Sequence, residues 1–269
     1  MLKNEKIFLI AEAGINHGGD LSYAIKLVDK AKYCGADAIK FQTYKTEKRV
    51  KKSSKIFNIL KKCELSYEDF FKIKNYCDKK KILFFSTPFD IESVTFLKKI
   101  KVKLFKIASF DISNYELVRE IIKTKIPTII STGMASLNEI KRIDNMFKSK
   151  NIPHNFLHCI STYPNDEKNS YLNNIKFLSE TLKTKVGLSD HTNDINTAIY
   201  SYILGARIFE KHFKLSKNHK CVDGPVSITP DQFLELRKKL LKMQKILGRA
   251  TFGVRDIEKD TSIYKRKTK

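Results

Sequence analysis

Short apolar, β-branched runs alternate along this chain with longer amphipathic stretches, and the alternation repeats eight times. The runs are Ile7 to Ala13, Ala38 to Thr43, Ile82 to Thr87, Leu104 to Ser109, Thr128 to Thr132, Asn155 to Ser161, Lys185 to Asp190 and Ala206 to Phe213. Such lengths suit buried strands. Each intervening segment is long enough for a crossover helix, which parallel neighbours require. After the first run, Ala24, Leu27, Val28 and Ala31 fall at i, i+3, i+4 and i+7, the stripe of a helix with one buried face. Capping boxes at Ser66-x-x-Asp69, Ser113-x-x-Glu116, Ser136-x-x-Glu139 and Thr229-Pro230-Asp231-Gln232 mark helix starts. Gly35 and Gly248 stand where helices should end.

Eight alternations with short connections predict an α/β fold, a (β/α)8 TIM barrel over residues 1–248. An open doubly wound sheet is the alternative. It usually has fewer strands and a Gly-x-Gly-x-x-Gly turn after the first, which Ala13-Gly14-Ile15-Asn16-His17-Gly18-Gly19 does not spell. The longest irregular stretch, Tyr44 to Leu65, is rich in Lys and Ser and reads as a lid. Residues 249–269 lose the periodicity and read as a short tail, loosely ordered from Tyr264 to Lys269.

Composition narrows the class. The chain has 269 residues, 42% of them hydrophobic, enough for a sizeable core. No stretch approaches the ~18 apolar residues of a membrane helix. Met1 to Lys6 leads straight into the first strand with no secretory h-region, so a cytoplasmic protein is expected. Five scattered cysteines (34, 63, 77, 159 and 221) without a C-x-x-C pair argue against a disulfide framework or structural zinc; Cys159 reads as a packed core thiol. The net charge of +23 invites a nucleic-acid partner, but only eight of the 52 basic residues are Arg, the better reader of phosphates and bases. The charge reads instead as a solvated lysine surface that can attract small anions.

Polar residues gather at the C-terminal ends of the strands. Glu12 follows the first, Lys40 and Gln42 the second, and Ser86-Thr87 the third. Lys106 and Ser109 belong to the fourth, Ser131-Thr132 to the fifth, and Ser161 and Tyr163 to the sixth. Ser189 and His191 share one face of the seventh, Glu210 and His212 one face of the eighth. In barrels this rim carries the chemistry. If the last two strands are neighbours, two imidazoles and a carboxylate meet in one mouth, a setting for a divalent metal and a polar substrate. A strand-borne lysine such as Lys40 or Lys106 must meet an anion, snorkel, or act as a Schiff-base amine. His154 and His219 read as loop residues and His158 as a core histidine, while His17 could serve either way.

With these residues in hand, the chain resembles the N-acetylneuraminate (sialic acid) synthase family. The resemblance rests on Ile10 to His17, Gly35 to Thr43, Ser86 to Phe89, Phe105 to Ser109, Ile130 to Met134, Leu157 to Cys159, Gly187 to His191 and Phe209 to Phe213, one motif per strand. It implies a transferase that condenses phosphoenolpyruvate with N-acetylmannosamine or a related N-acylated aldose, giving a nine-carbon 2-keto acid and phosphate by C–O cleavage. His191 and His212 would ligate Mn2+ or Mg2+. Lys40 and Thr87 would meet the phosphoenolpyruvate carboxylate, and Lys106, Ser109, Ser131 and Ser189 its phosphate, with Ser161 nearby. Glu12, Gln42, Tyr163, Glu210 and Asp223 would contact the open-chain sugar or move protons.

Some motifs depart from the family pattern. Phe110-Asp111 stands where a Glu is usual, so Asp111 keeps a carboxylate one methylene shorter; Ser161 replaces an Asn; and the surroundings of Asp223 differ, which leaves the acceptor open. The family's C-terminal antifreeze-like domain has no counterpart here. The acceptor half is therefore expected either to stand open or to be completed by another polypeptide, a separate chain or the second copy in a homodimer. Three other readings compete: a truncated paralogue of weakened activity, a Schiff-base aldolase using Lys40 or Lys106, and a basic nucleic-acid-binding barrel.

Overall fold

A computed structural model describes residues 6–248 and 250–266. Eight parallel strands close in chain order into one barrel. They are β1 (Phe8–Gly14), β2 (Ala38–Thr43), β3 (Leu83–Pro88), β4 (Phe105–Ile107), β5 (Thr128–Ser131), β6 (His154–Cys159), β7 (Val186–Asp190) and β8 (Ile208–His212). Every expected run is a strand, and the (β/α)8 barrel is the observed fold. The open-sheet alternative falls because β1 pairs with β8 as well as with β2.

Side-chain alternation sorts the strands into a greasy outer wall and a layered interior. Inside, Ile10, Ala38, Phe85, Leu104, Ile129, Leu157 and Ile208 form one buried apolar cluster. Two residues further along each strand, at the same inward phase, stand Glu12, Lys40, Thr87, Lys106, Ser131, Cys159 and Glu210, all buried. The strand missing from the apolar tier is β7, whose Gly187 takes that place. A Cβ there would lie 2.3 Å from the Ile208 carbonyl oxygen and 2.6 Å from Leu157 Cδ2, so only glycine lets the tier close. Outward-facing Leu9, Ala11, Ile39, Phe41, Phe84, Phe156 and Phe209 pack under the helices in the main core.

The helices are α1 (Leu21–Tyr33), α2 (Thr46–Arg49), α3 (Phe57–Cys63), α4 (Tyr67–Lys80), α5 (Ile91–Lys99), α6 (Tyr115–Lys123), α7 (Leu137–Lys148), α8 (Asn173–Leu182), α9 (Asn196–Ile203), α10 (Pro230–Leu247) and α11 (Lys259–Ser262). The predicted stripe of α1 is wholly buried. Ser66, Ser136 and Thr229 cap α4, α7 and α10 as expected, the last two with complete capping boxes. Gly35 lies just past the end of α1 at φ +79°, and Gly248 caps α10.

Three expectations need correction. The cap of α6 is Asn114, whose side chain accepts from the Leu117 N–H, because Ser113 turns away to donate to Glu139 at the start of α7. The supposed lid is not irregular throughout, for it contains α2 and α3. His154 is no loop residue: it opens β6, with Nε2 2.9 Å from Asp144 Oδ1. The tail holds a short helical turn, Asp256–Glu258, running into α11. Its last residues, 267–269, and the N-terminal residues 1–5 lie outside the described residues. Among the described residues, no helix is long and apolar enough to cross a membrane.

Candidate active site

Strand register decides which polar tips meet. Glu12 and Lys40 are directly paired across β1 and β2, and Ser189 and Glu210 across β7 and β8. The closed barrel then brings Glu12, Lys40, Gln42, Thr87, Lys106, Ser109, Ser131, Tyr163, Ser189, His191, Glu210, His212 and Asp223 to the wall of one cavity of about 360 Å³. Ser161 adjoins it: a Cβ on Gly133 would lie 2.3 Å from Ser161 Oγ and 2.8 Å from Ser109 Oγ, so the two hydroxyls flank that glycine. Asp111 is not brought into the wall. It sits in the 3-10 turn after β4, half-buried, and its Oδ1 accepts from Asn114.

The lysines do not wait for an outside anion. Lys40 Nζ is 3.2 Å from Glu12 Oε2 and 3.4 Å from Glu210 Oε1, while Lys106 Nζ is 3.6 Å from Glu210 Oε1. Each ammonium also reaches a hydroxyl, Lys40 to Thr87 at 3.2 Å and Lys106 to Ser131 at 2.7 Å. The buried lysines and carboxylates thus form a single interleaved network. Its cause is the narrow bore, in which buried charges of one sign need the other sign within reach.

The network drives its two carboxyls in opposite directions. Burial alone would raise Glu210, but Lys106 and Lys40, helped by His212 and the Ser189 hydroxyl at 3.1 Å, hold it down to about 2. Glu12 is raised: burial outweighs Lys40, and the neighbouring charge of Glu210 pushes the same way as burial. Burial also lowers Lys106, against the pull of Glu210. Lys40 stays above its ordinary value because Glu12 and Glu210 overcome its burial. Two carboxyls whose environments push them apart suit one to hold a proton and the other to remain charged.

At the rim the two imidazoles meet, with His191 and His212 ring centroids 5.4 Å apart and Tyr163 packed 4.1 Å from His191. His191 Nδ1 donates to the Ile160 carbonyl at 2.7 Å, which leaves Nε2 as its lone-pair nitrogen. His212 Nδ1 is 3.3 Å from Asp223 Oδ2, yet neither atom, nor the buried Glu210 Oε2, has a well-formed hydrogen bond. Asp223 is placed by Asn16, a buried residue to which the sequence reading gave no role. Asn16 Oδ1 accepts from the Asp223 N–H, and its Nδ2 donates to Phe213 O and Ser227 Oγ.

Other groups at the site had gone unnoticed. Arg49, at the end of α2, reaches the same cavity from the presumed lid. Cys159 is buried as expected but faces the cavity, its Sγ 3.5 Å from Ser109 Oγ; its place in the β6 alternation, two residues past Leu157, was the available signal. His158, by contrast, is a satisfied core histidine, with Nε2 2.7 Å from Ser170 O.

Residues 27–252 match the family model described as the NeuB family. The chain belongs to the NeuB family. An uncharacterized protein of Methanocaldococcus jannaschii is 40% identical to this NeuB chain, over 99% of it and 79% of the relative. The pseudaminic acid synthase of Campylobacter jejuni is 35% identical, over 95% of this chain and 84% of the relative. Among solved structures, the N-acetylneuraminic acid (sialic acid) synthetase of Leptospira borgpetersenii, in complex with citrate, superposes with a TM-score of 0.93. It shares 36% identity, over 97% of this NeuB chain and 92% of that one.

Proposed function

We propose that this NeuB-family chain is a transferase that condenses phosphoenolpyruvate with N-acetylmannosamine or a related N-acylated aldose. The products are a nine-carbon 2-keto sugar acid and phosphate. The observation that carries the reading is the pair of buried ammonium–hydroxyl sites, Lys40–Thr87 and Lys106–Ser131, at the base of a cavity whose rim bears two imidazoles. Phosphoenolpyruvate has two anionic ends, and two such sites in one cavity suit them. The names of the relatives, synthases of sialic and pseudaminic acids, support the same class.

The step follows from these groups. Lys40 and Thr87 hold the carboxylate; Lys106, Ser131, Ser109 and Ser189 hold the phosphate, with Ser161 beside them. In turning to the ligand, the lysines release part of their hold on Glu12 and Glu210. Glu12, already raised, is then the carboxyl able to carry a proton to the new hydroxyl as C3 of the enol attacks the aldehyde carbon. Water adds at C2, giving a proton back to the Glu12 carboxylate, and the tetrahedral intermediate collapses by breaking its C–O bond to phosphate, which leaves with the proton of the C2 hydroxyl. Gln42, Tyr163 and Asp223 orient the sugar.

A divalent ion, Mn2+ or Mg2+, fits the residues present. His191 Nε2 is available, and His212 Nδ1, Glu210 Oε2 and Asp223 Oδ2 are underused buried atoms. Among the described residues no three His, Cys, Asp or Glu side chains converge tightly enough to hold an ion unaided. His191 and His212 would therefore share it with water and substrate oxygens, as Mg2+ sites commonly do. When bound, the ion supplies Lewis-acid polarisation of the sugar aldehyde.

The test is phosphate release from phosphoenolpyruvate with Mn2+ across a panel of aldoses, with and without chelator. Aldose-dependent release that chelator abolishes is expected, and Lys106→Ala should raise the KM for phosphoenolpyruvate. A mutant change confined to the aldose KM would overturn the phosphate assignment. The lowered Lys106 gives one foothold to a Schiff-base aldolase; borohydride trapping of Lys106 with pyruvate, with no metal requirement, would favour that reading instead.

A further inference from the structure

A further buried ion pair lies outside the cavity, on the helix-facing side of β7 and β8. Asp190 precedes His191 and Lys211 precedes His212, so alternation turns both away from the cavity, in phase with the core residues Leu188 and Phe209. They are register partners, the last pair of the β7–β8 ladder. Lys211 is 0% and Asp190 4% exposed, with Nζ 3.1 Å from Oδ2. The ammonium also donates to the Thr192 carbonyl at 2.6 Å and to Thr192 Oγ1 at 3.4 Å, so each of its three N–H donors has an acceptor. Asp190 is filled in turn: Oδ1 accepts from the Thr192 N–H at 2.9 Å, and Oδ2 from its hydroxyl at 3.1 Å.

Stability alone is a weak reason for such a pair. An ammonium and a carboxylate buried among hydrocarbon gain little over well-packed apolar side chains, so the geometry they impose is the better place to look for their use. Here that geometry concerns the histidines. His191 lies one residue past the end of β7 and is tied towards β6: its Nδ1 donates to Ile160 O, and its carbonyl accepts from the Asn165 N–H at 3.0 Å. His212 is tied the other way. Its carbonyl accepts from the Ile228 N–H at 2.9 Å, and the next residue, Phe213, donates to Glu12 O at 2.8 Å. At this level the β7–β8 ladder has already stopped. Lys211 continues it by side chain, gripping from β8 the residues on either side of His191, Asp190 before it and Thr192 after.

We infer that Lys211, acting through Asp190 and Thr192, is a positioning residue that fixes the spacing of His191 and His212 and so decides whether the two imidazoles can share one divalent ion. This rests on the metal reading of the site and adds to it the part of the fold that sets the ligand spacing. None of the three residues lines the cavity, so their effect reaches the imidazoles through the backbone and not by contact with substrate.

The experiment measures Mn2+ binding by the full chain without substrates, using titration calorimetry for affinity and electron spin-echo modulation to count imidazole nitrogens on the ion. Wild type should show two such nitrogens and His212→Ala one. Lys211→Met combined with Asp190→Leu replaces the pair by apolar side chains of similar size, which keeps the packing and removes the tie. That double variant should unfold in urea near wild type, bind Mn2+ roughly ten- to hundredfold more weakly, and lose one nitrogen from the count. Lys211→Arg, which retains a donor for the Thr192 carbonyl, should recover most of the affinity. If the double variant does not fold, Asp190→Asn takes its place with the same expectation, since it keeps the side-chain shape and removes the charge that holds Lys211. Wild-type affinity and two nitrogens in the folded variant overturn the inference. So does affinity that merely follows the folded fraction across these variants, because the pair would then serve stability alone. A wild type that binds no Mn2+, or binds it equally after His212→Ala, ends the metal reading itself, and the spacing assignment with it.

Discussion

Lys40 and Lys106 were visible in the sequence because an ammonium on the inner phase of a buried strand has few places to go. Their partners were not visible. Which carboxylate faces Lys40 depends on the register between β1 and β2, and one chain read alone does not disclose register. Arg49 was missed for a different reason: it lies in a stretch without periodicity, so no phase pointed it inward. Gly133 was quoted only as part of a motif, yet it sets the spacing of two hydroxyls. Gly133→Ala would put a methyl against Ser161 Oγ and Ser109 Oγ, which cannot both retreat. The expected result is a loss in kcat/KM for phosphoenolpyruvate on the order of 10²-fold, as for other small misplacements of binding groups. Unchanged thermal unfolding would separate that effect from a folding defect.

At the scale of elements, caps and apolar stripes were legible because both are local. The exception is instructive. Ser113 had the right spacing to cap α6, but a tertiary partner, Glu139 on α7, took its hydroxyl and passed the cap to Asn114. Glu139 thereby gathers hydrogen bonds from Ser113 and from the Ser136 side chain and backbone, and its carboxyl falls to about 2 from an ordinary 4.5. A carboxyl depressed in the folded state stabilises it above the unfolded value, and that contribution disappears as pH falls from about 4.5 towards 2. Urea unfolding at a series of pH values should therefore show wild type more stable than Glu139→Gln near neutrality, with the gap closing below about pH 4.5. A gap constant across that range would mean the carboxylate charge contributes nothing. The short helices of the presumed lid were beyond local reading, since α2 and α3 have four and seven residues, too few for a periodic signal.

For the molecule as a whole, eight strands in sequence order were enough to predict closure, because a parallel sheet with a helix after each strand has both faces covered. The excess of lysine had no comparable structural reading. A chain of net charge +23 should speed the arrival of the proposed anionic substrate, by an amount that salt screens. Stopped-flow or steady-state measurement should show kcat/KM for phosphoenolpyruvate falling as ionic strength rises from about 0.02 to 0.2 M. Insensitivity to salt would leave the lysines as solvation alone.

The ring of Ile10, Phe85, Leu104, Ile129, Leu157 and Ile208 beneath the charged tier has one more consequence. It stoppers the barrel at its far end, so the vessel has a single doorway. Whatever settles against Lys106 enters past the rim that carries His191 and His212, and cannot slip out beneath a companion lodged above it. Traffic through such a dead end is ordered by depth: the inner guest arrives first and departs last.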